Sequence, residues 1–206
     1  MLQKIFSQEI RFKDDNGQDY PEWKICDLKD VADVYDGVHK TPQYKEFGVP
    51  FVSVENISNL METNKYISES DFERDYKVYP TKNDILMTRI GDIGKATLVT
   101  TDGKIAYYVS LALLKLKEFL VPAYMLHFIS CNFFKLELWK RTLHIEFPQK
   151  INKNEISKCK VLLPCMEEQQ KIADFLSTFD KKITAEKQIL SDLQEMKKGL
   201  LQQMFV

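Results

Sequence analysis

PCMEEQQKIADFLSTFDKKITAEKQILSDLQEMKKGLLQQMFV, residues 164–206, decides the architecture of this chain. With Ile172, Phe179, Glu186, Leu193 and Leu200 at d, the a positions are Leu176, Ile183, Leu190, Lys197 and Met204. Eight of these ten are apolar over more than four heptads, the signature of a coiled coil rather than of a surface helix. A helix from Glu167 to Phe205 would span about 58 Å, more than the diameter of a domain built from the other residues. The spacing therefore predicts a helix that projects from the domain and needs a partner for its seam.

The rest of the chain is ordinary in composition. Its 206 residues, 44% hydrophobic and 29% charged, suit one globular domain plus the helix. A domain of about 150 residues can bury a core without disulfides. Cys26, Cys131, Cys159 and Cys165 form no CxxC pair, which fits reduced thiols in the cytoplasm. No stretch approaches the length of a membrane span and the N-terminus has no apolar signal core, so neither secretion nor insertion is expected. A net charge of −1 excludes a general polyanion coat but leaves room for a local basic surface.

Working outward from the helix, CKVLLP (159–164) has the β-branched and apolar content of a strand, as do 49–57, 83–91, 95–101 and 105–116. Residues 122–140 carry apolar side chains at three-to-four spacing and predict one helix opening at Pro122. Residues 1–20 are polar and predict a loose lead-in with a turn at Asp14–Gly17. The fold class is α+β: a mixed domain of short strands and a few helices over 21–164, then one long helix over 165–206.

Sites for catalysis are absent from this reading. Gly91-Asp-Ile-Gly94-Lys95-Ala-Thr97 has the wrong spacing for a phosphate-binding loop, and Ala96 stands where a hydroxyl is required. Glu22-Trp23-Lys24 offers the end of a nuclease-like Glu-x-Lys, with Asp14, Asp15 and Asp19 upstream, but so short a match is common in charged proteins. His39, His127 and His144 match no metal-ligand spacing. The expectation is a binding module without catalytic or metal residues.

Several segments in order carry a family resemblance: Pro21-Glu-Trp23, Leu28-Lys-Asp-Val, Gly37 with Thr41-Pro42, Val49–Ile57 and Asn83–Gly94. Val161-Leu-Leu-Pro164 and Glu167-Glu-Gln-Gln-Lys-Ile-Ala-Asp-Phe-Leu176 close the series, followed by Asp180–Ile183. This order resembles the DNA-specificity subunits of type I restriction–modification systems over nearly the whole chain. The Pro164–Leu176 junction is its most specific part. Family members usually carry two target-recognition domains and two helices that pair antiparallel, whereas one of each is present here. The resemblance implies a half-size, non-catalytic subunit that dimerises through the helix and reads half of a bipartite DNA site per copy. It implies docking of methyltransferase and restriction subunits, to which S-adenosylmethionine, ATP and Mg would belong. The other reading is a coiled-coil protein that regulates a restriction complex without reading DNA.

An antiparallel register follows from the heptads. Setting Leu190 against Leu193 of a second copy also sets Ile183 against Leu200 and Phe179 against Met204, and the two polar exceptions, Glu186 and Lys197, against each other. The expected dimer seam is therefore Leu176, Phe179, Ile183, Glu186, Leu190, Leu193, Lys197, Leu200 and Met204. Polar pairs in such seams fix register more than they add stability.

Four loops offer the residue types that contact bases and phosphates. They supply Lys40, Thr41 and Tyr44; Ser53 and Asn56; Arg89, Gly91 and Lys95; and Gln149, Lys150 and Asn152. Arg89 could make a two-pronged base contact, and the neighbouring glycines could let backbone approach a phosphate.

Overall fold

Two runs, Ile85–Thr88 and Leu111–Leu116, are apolar with almost no alternation because their sheet is covered on both faces. The computed structural model describes residues 1–204. Its first elements are α1 (Leu2–Phe6), β1 (Lys24–Asp27), α2 (Leu28–Val31), β2 (Ala32–Asp36), β3 (Val49–Val52), β4 (Tyr66–Ile67) and α3 (Glu69–Asp75). Then come β5 (Ile85–Thr88), β6 (Ala96–Leu98), β7 (Ala106–Tyr107), β8 (Leu111–Leu116), α4 (Pro122–Ile129), α5 (Asn132–Arg141), α6 (Lys153–Ile156), β9 (Lys160–Leu163) and α7 (Met166–Met204).

A four-stranded antiparallel sheet in the order β2-β8-β5-β6 divides the domain. The register pairs Ile85 with Leu114 and Met87 with Ala112, and these four enter one core with α1, α4, α5 and the start of α7. Leu86, Leu111 and Leu113 point the other way, into a second core under the small sheet β4-β3-β7, with Phe51, Phe72 and Tyr107. Side-chain alternation thus sends one strand into two cores. A two-stranded ribbon, β1 with β9, leads directly into α7.

Four sequence expectations about these elements need correction. The single strand expected over 105–116 is two, β7 and β8, which belong to different sheets. Residues 1–20 are no loose lead-in: Ile5 and Phe6 are buried, Phe6 packs edge-on against Tyr124 and Phe128, and Arg11 reaches α7. The expected single helix over 122–140 is two, α4 and α5, broken at Ser130 and Cys131, so that Phe128 and Phe134 can both enter the core. The strand expected over 49–57 ends at Val52, because Ser53 and Asn56 cap each other around a short 3-10 turn at Val54–Asn56.

The junction Pro164–Leu176 is a lock between α7 and the domain. Glu168, wholly buried, accepts hydrogen bonds from Arg11 Nε (3.2 Å), Arg11 Nη2 (2.9 Å) and Trp23 Nε1 (2.8 Å). Gln169 accepts from the Val121 amide at 2.8 Å and donates to the carbonyls of Pro164 and Phe119. Ile172, Ala173 and Leu176 complete the packing against α4. The polar pair Glu168–Gln169 thus fixes the direction in which the helix leaves, since charge-assisted hydrogen bonds impose geometry that apolar contacts do not.

Candidate nucleic-acid interface

Arg89, at the end of β5, organises one end of the domain. Its side chain is 6% exposed, and its guanidinium meets Asp36 Oδ1 at 2.7 Å. It also donates to the carbonyls of Ile151 (3.0 Å) and Val109 (3.3 Å). Its backbone adds bonds from Arg89 N to Ser110 O and from Ile151 N to Arg89 O. One side chain therefore ties together the segments that begin at Asp36, Arg89 and Ile151. This corrects the expectation that Arg89 reads a base: its side chain is buried, and its Nε and Nη1 are held by Ile151, Val109 and Asp36.

Around this node the candidate loops converge. Gly37 follows Asp36, and a Cβ there would overlap the Tyr108 carbonyl, so only glycine lets the chain pass. Beyond it Lys40 and Thr41 are exposed and line a cleft of about 670 Å³ with Gln43, Asp71 and Arg74. A second cleft, about 290 Å³, lies between Val38, Lys77 and Lys153, joining this loop to the start of α6. Tyr107 closes the node from beneath: its hydroxyl donates to Asp36 O at 3.1 Å, and burial, then Asp36, raises its pKa and keeps it a donor.

The turn after Arg89 behaves differently from its expected role. Gly91 adopts φ +79°, which a side chain would strain, and open space lies above it. Its N–H, however, donates to Gln149 O at 2.8 Å, and Gly94 N donates to Thr88 O at 3.0 Å. These amides are spent within the fold and form no anion cradle, which corrects the phosphate-binding role expected of Gly91. What the turn does is dock the 143–150 hairpin beside itself. Lys95 is exposed at the turn and pairs with Asp92 at 2.8 Å. Lys150 is half-buried and pairs with Glu146 at 2.6 Å. Surface pairs of this kind contribute little, so either lysine can exchange its carboxylate for a phosphate.

Gln149 and Asn152 are exposed, as is Lys153, which follows Asn152 at the start of α6. Ser53 and Asn56 are not available in the way expected: Ser53 Oγ accepts from Glu55 N, and Asn56 Oδ1 accepts from Ser53 N. Tyr44 is 44% exposed, packed edge-on against Phe51 with Lys65 over its ring. The structure thus ties to Arg89 the three segments that carry Lys40 and Thr41, Gly91 and Lys95, and Gln149, Lys150 and Asn152, through Asp36, its own strand and Ile151. Sequence reasoning missed Asp36 and Ile151, partners of Arg89 whose distance along the chain conceals them. It also missed two apolar side chains at the hairpin tip, Ile145 and Phe147, whose only signal was an Ile-x-Phe-Pro step among polar residues.

The expected dimer seam divides. Leu176 lies in the domain core, which corrects its assignment to the seam. From Thr178 to Gln203 every residue is exposed apart from half-buried Gly199. Phe179, Ile183, Leu190, Leu193 and Leu200 stand 39–56% exposed on this stretch, with Glu186 and Lys197 exposed among them. The side chain of Met204 lies outside what is described. Ile189 and Met196, at the g positions, widen the apolar stripe beyond the a and d residues. Where the helix leaves the domain, His127 of α4 faces Ser177 Oγ at 3.5 Å and Asp180 at 3.7 Å. Burial lowers its pKa, only partly opposed by Asp180. No helix of the described residues is long and apolar enough to cross a membrane.

A two-core domain with a helix locked to it and projecting from it is the architecture of a specificity subunit. The family model for the type I restriction modification DNA specificity domain matches residues 20–195, and the chain belongs to that family. It is 30% identical to the putative type I restriction enzyme MjaX specificity subunit of Methanocaldococcus jannaschii, covering 100% of this chain and 50% of that protein. It is 23% identical to the type I restriction enzyme MjaVIII specificity subunit of the same organism, over 98% of this chain and 51% of the other. The HsdS subunit from Thermoanaerobacter tengcongensis shares the fold at a TM-score of 0.65 and 19% identity, over 89% of this chain and 43% of its own. A chain solved in a study of assembly and conformational transition of the type I R-M system gives a TM-score of 0.68 at 19% identity, over 97% and 48%. The chain spans about half the length of the curated relatives it matches.

Proposed function

We propose that this chain is a DNA-recognition subunit in which each copy reads one half of a bipartite site and two copies pair through α7. The reading further takes it as non-catalytic, recruiting methyltransferase and restriction subunits that carry S-adenosylmethionine, ATP and Mg. The observation that carries it is the convergence of three polar loops on Arg89 at one end of a domain whose helix is locked in direction by Glu168. Lys40, Lys95, Lys150 and Lys153 would capture phosphates first, a salt-dependent step. Thr41, Gln149 and Asn152 would meet base edges, with Tyr44 at the margin.

Pairing is supported by the exposed stretch itself. The antiparallel register begins at Phe179, and continuous exposure begins at Thr178. The same register sets Ile189 beside Met196 of the second copy, so both g-position hydrophobics find apolar neighbours. The helix would then act as a spacer about 40 Å long between two reading heads.

Methylome sequencing of cells expressing the chain with its cognate methyltransferase tests this reading. A new interrupted palindrome of methylated sites is expected. A regulator that does not read DNA would leave the methylation pattern without a new site, and would overturn the proposal.

A further inference from the structure

The hairpin Leu143–Lys150 ends in two side chains with no neighbours. Leu143 N donates to Lys150 O at 2.8 Å and closes the loop, and the six residues between them form the tip. Ile145 is 98% exposed and Phe147 102%, the most exposed of the large hydrophobics in the described residues. Such exposure does nothing for folding, because neither side chain leaves water. Nor is the tip a broad patch of the kind that receives another protein, since its apolar side chains alternate with His144, Glu146 and Gln149.

Its setting points to one occupant. The base of the hairpin is bonded to the Gly91 turn through Gly91 N and Gln149 O, and to Arg89 through Ile151. Lys150 stands at the base, its charge balanced by Glu146 at 2.6 Å. A ligand bringing phosphates can displace that carboxylate and reach the tip in the same approach. Trp139, 62% exposed, lies beside His144 with ring centroids 4.9 Å apart and the rings tilted, and its carbonyl meets His144 Nε2 at 2.8 Å, which ties the side of the loop to α5.

We infer that the hairpin tip is an apolar wedge that inserts Ile145 and Phe147 between base pairs of duplex DNA, kinking it beside the half-site. Unstacking a step is costly, and apolar wedges recover that cost by bringing more of the protein onto bent DNA. Pyrimidine–purine steps open most easily, so the wedge would add sequence preference at a position where no polar side chain contacts a base. This rests on the DNA reading proposed above and adds to it a residue pair and a deformation.

The test uses the full chain with its methyltransferase partner on a short duplex carrying the site defined by methylome sequencing. A fluorescent adenine analogue is placed in turn at each step outside the methylated bases, and end-to-end energy transfer reports bending. Wild type is expected to brighten the analogue at one step and to shorten the end-to-end distance. Ile145→Ala with Phe147→Ala is expected to abolish both signals and weaken binding by about tenfold or more, while oligomeric state and circular dichroism stay unchanged. Phe147→Leu, which keeps an apolar tip, is expected to retain most of the bend. Unchanged bending and affinity in the double alanine variant would overturn the wedge while leaving DNA reading intact. Loss of methyltransferase co-purification with unaltered DNA bending would also overturn it, making the tip a protein contact. If wild type itself shows no site preference, the DNA reading fails and the wedge fails with it.

Discussion

From Met166 to Ser177 α7 is embraced by its own domain, and from Thr178 to Gln203 the same helix stands in water. Both halves carry apolar residues at a and d. In the first, Ile172 and Leu176 fill a core alongside Tyr124 and Phe128. In the second, Leu190 and Leu193 are 56% and 55% exposed. The difference is made by the polar residues. Glu168 and Gln169 have partners waiting in half-buried Arg11, buried Trp23 and the Val121 amide, whereas Glu186 and Lys197 stand exposed with no ion pair or hydrogen bond from their side chains among the described residues. A heptad states that a helix has a partner, and the polar residues beside it state which one.

The comparison can be broken most forcefully at Glu168. Glu168→Ala would leave a buried indole N–H and the Arg11 Nε–H without their acceptor and remove the carboxylate that balances Arg11, and is expected to lower domain stability by about 3–5 kcal/mol in urea unfolding. A matched pair of truncations sharpens it. Ile172→Ala should cost about 2–5 kcal/mol of domain stability, as buried large-to-small changes do. Leu193→Ala should change the unfolding of the isolated chain by no more than about 0.5 kcal/mol, and act instead on association. Equal losses from both would mean that the two halves are covered by the same thing.

A smaller effect tests the register. Lys197→Glu is expected to weaken the dimer about tenfold, because symmetry repeats the new repulsion twice, and adding Glu186→Lys should restore it. Sedimentation of the two variants decides this; undiminished dimerisation in the single variant would rule out the register.

The smallest effect concerns pH. Burial holds the His127 imidazole below its ordinary value of 6.5, so the unfolded chain takes up this proton first as pH falls. Stability is therefore retained above 6.5, declines as pH drops below it, and levels off once the folded pKa is passed. His127→Gln is expected to flatten that part of the pH–stability profile, read by thermal unfolding across the range.

What the sequence disclosed follows the same division. The α7 heptads, the strands at 85–88 and 160–163 and the turn at Gly91 were legible because their signals are local. The docked start of α7 was not, since Leu176 satisfies the heptad whether its partner is α4 or another chain. Residues 1–20 read as loose because Ile5 and Phe6 are too few to make a period, and only their tertiary partners explain them. Arg89 read as a base contact because an arginine beside glycines has that chemistry. Its burial depends on Asp36, Val109 and Ile151, which lie 53, 20 and 62 residues away. Ser53 and Asn56 were misread for a related reason, since capping and base reading draw on the same polar side chains.

The proposed pairing of the projecting halves is tested most directly by sedimentation equilibrium of the chain across micromolar concentrations. Wild type is expected to run at twice 24.2 kDa, with Leu190→Lys and Leu193→Lys together reducing it to a folded monomer. A wild-type monomer throughout, or a dimer that survives both lysines, would contradict it.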